Sequence, residues 1–170
     1  MIVDGAYTFA ATRQAVWDLL LDAEVIGAAM PGGKALRRVA PDRYEGLMQV
    51  GIGPITAAEF RLAIGLLEVD PPSRYVMEVD GQGRFGFTRG TAEVVLTEAG
   101  GGTTMSYRAD LMVGGKIASV GQRLLDTVSR MMTRRGLEAV ASDMERRLGL
   151  SSGGGPVRAE PEEPLPGGVV

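Results

Sequence analysis

Hydrophobic and polar residues alternate through most of the chain up to residue 113, a pattern typical of strands with one buried face. The alternation predicts strands over residues 2–9, 34–40, 43–52, 55–69, 74–81, 83–96 and 103–113. Glycine and proline residues fall between the later strands, at 53–54, 70–72 and 100–102, where they predict hairpin turns. The strands are therefore expected to form one antiparallel sheet.

Helical patterns flank these strands at both ends of the sheet-forming region. After the first strand, Thr12 and Asp22 are each predicted to cap a short helix, the second of which runs over residues 24–29. A long helix is predicted over residues 116–148, directly after two glycines. Its apolar positions recur at helical spacing at Ile117, Val120, Gly121, Leu124, Val128, Met131, Met132, Val140 and Met144. The order β-α-α-β-β-β-β-β-β-α predicts an α+β fold in which one long helix lies across the sheet.

Side chains along a strand alternate between the two faces of a sheet, so position parity separates an inward set from an outward set. The acidic strand residues fall on the outward parity: Asp4, Glu45, Glu59, Glu78, Glu93 and Asp110. The four tyrosines fall on the inward parity together with most of the large apolar strand residues. The parity predicts an apolar interior with a few phenol hydroxyls and no strand carboxylate.

The composition removes most catalytic and metal-binding classes. The 170 residues include no histidine and no cysteine, which excludes a histidine base, a thiol nucleophile, a zinc ribbon and an iron–sulfur cluster. No Asp-x-Asp-x-Asp cluster indicates a carboxylate metal site. Carboxylates, the remaining strong bases, are placed outward by the parity, so no turnover by the isolated protein is expected.

Charge and hydropathy bear on partners and location. The formal net charge of −3 argues against nucleic acid as a partner. The chain begins with a strand pattern rather than a signal peptide, and it has no run of about 20 apolar residues. We expect a cytoplasmic protein, with peripheral contact to the inner face of the plasma membrane as an alternative. Basic residues outnumber acidic ones on the long helix, which indicates either a solvated face with paired charges or a surface for acidic headgroups or a partner protein.

Several short motifs occur in a fixed order along the chain. They are Val16-Trp17, Met30-Pro31-Gly32, Val50-Gly51-Ile52-Gly53-Pro54, Asp70-Pro71-Pro72-Ser73-Arg74-Tyr75, Gly86-Phe87-Thr88-Arg89-Gly90 and Gly114-Gly115-Lys116. Together they resemble the CoxG family of carbon monoxide dehydrogenase subunits, within the START-like (SRPBCC) helix-grip superfamily. The resemblance implies a curved antiparallel sheet of about seven strands wrapped around a long C-terminal helix, with a deep apolar cavity. It also implies an accessory role beside a molybdenum-containing carbon monoxide dehydrogenase or related hydroxylase, membrane recruitment, and handling of a lipophilic molecule such as a quinone.

The chain divides into a predicted domain and a predicted tail. Residues 1–148 carry the strand and helix patterns and the resemblance, so they are expected to form one helix-grip ligand-binding domain. Residues 149–170 are rich in glycine, proline and acidic residues and have little to bury. This tail is expected to be disordered and dispensable for folding.

The leading hypothesis is a non-catalytic carrier that holds a quinone or lipid-like ligand in the cavity, with no covalent cofactor and no metal. Tyrosine hydroxyls are expected to orient the ligand, and Arg84 either pairs with a ligand carbonyl or marks the cavity mouth. The candidate ligand-binding residues are Met30, Pro31, Tyr44, Met48, Phe60, Met77, Arg84, Tyr107, Leu111, Leu124, Val128 and Met131. Two rivals stay open: a cyclase-type enzyme acting on an apolar substrate, and an assembly or recruitment factor with a filled core. A cavity of about 300 Å3 or more would favour the carrier and the enzyme over the third hypothesis.

Overall fold

The computed structural model describes residues 1–149, and the predicted tail beyond Gly149 lies outside the described residues. Strand β1 (Ile2–Phe9) is followed by helices α1 (Arg13–Leu20) and α2 (Ala23–Ala29). The remaining strands are β2 (Gly33–Ala40), β3 (Arg43–Ile52), β4 (Ile55–Asp70), β5 (Arg74–Gly83), β6 (Gly86–Ala99) and β7 (Gly102–Gly114). A 3-10 segment (Lys116–Val120) then leads into helix α3 (Gln122–Leu148).

The strands form one seven-stranded antiparallel sheet in the order β1-β7-β6-β5-β4-β3-β2. From β2 to β7 each strand pairs with the next one along the chain, and β1 joins the sheet by pairing with β7. Because β1 and β2 lie at opposite edges, the chain crosses from one edge to the other through α1 and α2. The sheet curves around α3, and the α+β helix-grip fold predicted from the sequence is confirmed.

The two short helices begin where their capping residues predict. The Thr12 hydroxyl accepts a hydrogen bond from the backbone N–H of Ala15 at 3.2 Å. The Asp22 carboxylate accepts one from the backbone N–H of Glu24 at 2.9 Å. Each cap satisfies a backbone donor that has no partner inside the first helical turn.

The prediction of one continuous helix over residues 116–148 is wrong at its start. Gly115 and Gly121 have φ angles of 80° and 95°, which lie far from helical values and favour glycine. The residues between them wind as a 3-10 segment, and α3 begins only at Gln122. The strand predicted to start at residue 83 also starts later, at Gly86, because residues 84 and 85 form the turn that follows β5.

Two hydrophobic clusters hold α3 against the sheet. The larger cluster, here called the packed end, joins α1, the C-terminal half of α3 and the neighbouring strands. It includes Phe9, Val16, Trp17, Leu96, Val140 and Met144, all of which are buried. The smaller, here called the far cluster, is formed by Val50, Ile52, Ile55, Ala58, Phe60 and Ile117. Both ends of the sheet–helix layer are therefore fixed by packing.

Candidate functional site

A cavity of about 450 Å3 lies between the inner face of the sheet and α3, and residues of both clusters contribute to its wall. Its volume falls within the range of about 300–1,000 Å3 that small-molecule sites occupy. The wall is overwhelmingly apolar, and no aspartate or glutamate of residues 1–149 belongs to it. The predicted apolar cavity between sheet and helix is present.

The floor of the cavity is a row of cross-strand neighbours on the inner face of the sheet. Met77 on β5 pairs with Ala92 on β6, Ala92 with Ala109 on β7, and Ala109 with Val3 on β1. All of these residues line the cavity. Since alanine side chains end at Cβ, the centre of the floor leaves open a volume that larger residues would fill.

The roof is one face of α3, and the side wall is α2 with the turn that follows it. Roof residues recur at helical spacing: Leu125, Val128, Ser129, Met132, Thr133, Leu137 and Val140. The side wall is formed by Ile26, Ala29, Met30 and Pro31. Val128, Met132 and Met30 are only half-buried, which fits side chains that border a void rather than a filled core.

The polar groups of the wall are mainly hydroxyls. Tyr75 is buried, with 4% of its surface exposed, and Tyr107 is half-buried. Neither hydroxyl has a hydrogen-bond partner within residues 1–149. Thr133 donates its hydroxyl hydrogen to the Ser129 carbonyl at 2.8 Å, so that hydroxyl is already engaged. The two phenol hydroxyls therefore remain available to a ligand.

The phenols are neutral at physiological pH. Burial raises the pKa of Tyr75 well above the ordinary tyrosine value, and the neighbouring Tyr44 raises it further. Burial also raises the pKa of Tyr107, with a smaller contribution from the negative charge of Asp4. Because both groups keep their protons, they can donate hydrogen bonds but are poor bases near pH 7.

Most of the candidate residues named from the sequence line the cavity. Those that do are Met30, Pro31, Met48, Phe60, Met77, Tyr107, Leu111 and Val128. They come from the turn after α2, from four strands of the sheet and from α3. The inward parity of the strand residues was sufficient to identify them.

Four candidates lie elsewhere, which corrects their predicted place in the wall. Tyr44 is buried, but its hydroxyl donates to the Leu21 carbonyl at 2.6 Å, in the connection between α1 and α2. Arg84 is exposed in the turn after β5 and borders a depression on the outer face of the sheet. Leu124 packs with the far cluster, and Met131 lies on the outer side of α3.

The shift on α3 follows from its late start at Gln122. The cavity-facing stripe runs through Leu125, Val128 and Met132, one position away from the predicted Leu124 and Met131. Sequence reasoning also missed Tyr75 and the floor alanines Ala92 and Ala109 as wall residues. Their inward parity was a usable signal, because small inward residues in the middle of a curved sheet leave space.

The structure offers no membrane-spanning or metal-binding element in the part that it describes. No helix within residues 1–149 has both the length and the apolar character needed to cross a bilayer. In the same range, no three Asp or Glu side chains come together in a way that could hold a metal ion.

Comparison with solved structures identifies the same architecture in other proteins. A conserved protein from Geobacillus kaustophilus is 25% identical, with a TM-score of 0.81 over 86% of this chain and 96% of that chain. The Zhui aromatase/cyclase from Streptomyces sp. R1128 is 15% identical, with a TM-score of 0.66 over 87% and 95% of the two chains. A START superfamily protein from Mycobacterium smegmatis is 14% identical, with a TM-score of 0.65 over 86% and 98%. The last two likenesses establish the fold alone.

The sequence comparisons point to one family. No curated protein sequence matches the chain significantly. The profile of CoxG, a family of carbon monoxide dehydrogenase subunits, matches residues 5–145. The matched range includes most of β1, the other six strands and most of α3. The chain therefore belongs to the CoxG family of carbon monoxide dehydrogenase subunits.

Proposed function

We propose that this protein binds a lipophilic small molecule, quinone-like or lipid-like, in the cavity between the sheet and α3. The observation that carries the proposal is the apolar cavity of about 450 Å3. Burying apolar ligand surface contributes roughly 25 cal/mol per Å2, so a few hundred Å2 suffices for useful affinity after the costs of association. A ligand of this kind needs no charged anchor in the wall.

The hydroxyls of Tyr75 and Tyr107 support a ligand that carries a hydrogen-bond acceptor. A buried hydroxyl without a partner costs about 1–3 kcal/mol, and an acceptor on the ligand removes that cost. Tyr75 is the stronger candidate because it is the more deeply buried of the two. A carbonyl or ester oxygen bound at this position would orient a molecule that is otherwise held by burial.

The protein acts in this proposal as a non-catalytic accessory factor. The absence of a wall carboxylate within residues 1–149 and the high pKa of the phenols both support binding without acid–base chemistry. The family name supports service to a molybdenum-containing carbon monoxide dehydrogenase or related hydroxylase. Peripheral contact with a membrane surface would give a lipophilic ligand a place to enter and leave the cavity.

Ligand retention by a cavity-filling variant tests the proposal. Protein purified from its own host is analysed by native mass spectrometry and solvent extraction, and binding of ubiquinone-1 and oleic acid is titrated. In Ala109→Leu, the added carbon atoms occupy the centre of the floor, and we expect at least about tenfold weaker binding of the bulkier probe. The melting temperature should stay close to the wild-type value, because the added atoms enter existing space.

Ala63→Leu is the matched control. Ala63 is likewise a half-buried strand alanine, but it lies on the outward parity, opposite Glu45 and Asp80 in the neighbouring strands. It should bind both probes as the wild type does. Equal losses in the two variants, or a wild-type protein that retains no ligand and binds neither probe, would overturn the proposal.

A further inference from the structure

The arginines of this protein fall into paired and unpaired groups. On the sheet, Arg74 forms ion pairs with Glu93 at 2.6 Å and with Glu68 at 2.7 Å. At the C-terminal end of α3, Arg147 pairs with Asp143 at 2.8 Å. The N-terminal half of α3 differs, since its arginine side chains make no ion pair or hydrogen bond within residues 1–149. These are Arg123, Arg130, Arg134 and Arg135, and all are exposed.

Three of these arginines occupy one side of the helix. Arg123, Arg130 and Arg134 border a shallow depression on the surface of α3, and we call these three residues the arginine face. Their spacing of seven and four residues places them on the same side of successive turns. Asp126 is the acidic residue of the depression, and its carboxylate accepts a hydrogen bond from Gln122 at 2.7 Å. The arginine face therefore carries an excess of positive charge.

The arginine face lies on the same helical turns that roof the cavity. Leu125, Val128 and Met132 point to the cavity from the turns whose other side carries Arg123, Arg130 and Arg134. Any surface bound to the arginine face would lie directly against the cavity roof.

We propose that the arginine face docks on a membrane surface by binding anionic lipid headgroups. Guanidinium groups present paired N–H donors that match phosphate oxygens, and clustered arginines are attracted to an anionic bilayer. Protein interfaces instead concentrate their binding energy in buried aromatic and apolar anchors. The depression has no aromatic residue, and Met131 is its apolar member, so its chemistry favours headgroups over a protein. This inference does not depend on what the cavity binds.

Vesicle co-sedimentation of the full chain tests the inference. Wild-type protein should bind vesicles of phosphatidylcholine mixed with phosphatidylglycerol at low salt and should not bind vesicles of phosphatidylcholine alone. Higher salt should weaken the binding, because exposed charges are screened. The variant Arg123→Gln/Arg130→Gln/Arg134→Gln should bind anionic vesicles about a hundredfold more weakly, at the usual contribution of each surface arginine.

A second triple variant provides a control of equal charge. Arg37, Arg61 and Arg84 border a depression on the outer face of the sheet, are exposed, and form no ion pair within residues 1–149. The variant Arg37→Gln/Arg61→Gln/Arg84→Gln loses the same net charge but keeps the arginine face. It should bind anionic vesicles nearly as well as the wild type, and both variants should keep the wild-type melting temperature.

Three results would overturn the inference. The first is a wild-type protein that does not bind anionic vesicles at low salt. The second is an equal loss of binding in both triple variants, which would assign the effect to net charge rather than to α3. The third is binding to soluble polyglutamate as tight as to vesicles, which would assign the arginine face to an acidic protein partner.

Discussion

The two halves of α3 rest on the same sheet but meet it differently. In the C-terminal half, Leu137, Val140 and Met144 are buried against the packed end, where Met144 is only 2% exposed. In the N-terminal half, Val128 and Met132 remain half-buried above the cavity. The same type of apolar stripe therefore closes a core in one half and roofs an empty space in the other.

The difference arises from what lies opposite each half. The packed end places large side chains such as Phe9, Trp17 and Leu96 beneath the helix. The cavity floor places Ala92 and Ala109 there instead. Since the packed end and the far cluster hold both ends of the layer, the helix cannot sink to fill the gap between them. A cavity in this fold is thus a consequence of small residues under a helix that is fixed elsewhere.

The largest expected effect comes from a pair of identical substitutions on α3. Met144→Ala removes a fully packed side chain and should lower the free energy of unfolding by about 2–5 kcal/mol. Met132→Ala removes a side chain that already borders a void and should cost about 1 kcal/mol or less. Urea unfolding of the two variants measures both values. Equal losses would show that the two halves of α3 are packed alike.

A pair of threonine substitutions sharpens the comparison at the level of hydrogen bonds. Thr103 is fully buried beside the packed end, and its hydroxyl donates to the Ala11 carbonyl at 2.8 Å. Thr103→Val leaves that carbonyl without this donor and should lower the free energy of unfolding by about 1–3 kcal/mol. Thr133→Val at the roof should cost about 0.5 kcal/mol or less, because the Ser129 carbonyl also accepts within the helix. Chemical denaturation with matching slopes checks both values, and a larger loss for Thr133→Val would contradict the comparison.

The smallest effect is expected in alkaline solution. The pKa of Tyr75 is raised by burial in the folded protein, so above the unfolded value of about 10 the unfolded chain ionises first and binds fewer protons. Stability should therefore fall as the pH rises through 10, by up to about 1.4 kcal/mol per pH unit for this one group. Tyr75→Phe should flatten the fall, as measured by denaturation at a series of pH values.

Tyr107→Phe is the natural comparison for this pH dependence. Its pKa is raised in the same direction, but the side chain is only half-buried. The change in alkaline slope should therefore be smaller than for Tyr75→Phe. A larger change would indicate that Tyr107, and not Tyr75, is the more strongly desolvated phenol of the cavity.

Much of the fold and part of the site could be predicted from local patterns. The strand bounds of β1 and β3 were predicted to the residue, and the caps Thr12 and Asp22 begin their helices as expected. The outward parity agrees with a cavity wall that contains no carboxylate of residues 1–149. These features depend on chain geometry within a few residues, which the sequence records directly.

Other features depended on packing at a distance. The hydroxyl of Tyr44 is used by Leu21, far from it along the chain, so its inward parity did not place it in the cavity wall. Gly121 was counted in the helical stripe, yet its positive φ interrupts the helix and changes which face of α3 meets the sheet. A residue's parity assigns it to a face, but contacts across that face are made by other elements.

The sequence by itself determined the α+β order, the antiparallel hairpins, the apolar inner face and the lack of histidine and cysteine chemistry. Only the tertiary structure decided where the inner face is filled and where it is empty, and which phenol hydroxyls remain without a partner. The physical reason is that alternation and helical spacing follow from the local backbone. A void depends instead on the separation between α3 and the floor around Ala92 and Ala109, which packing at both ends of the layer holds open.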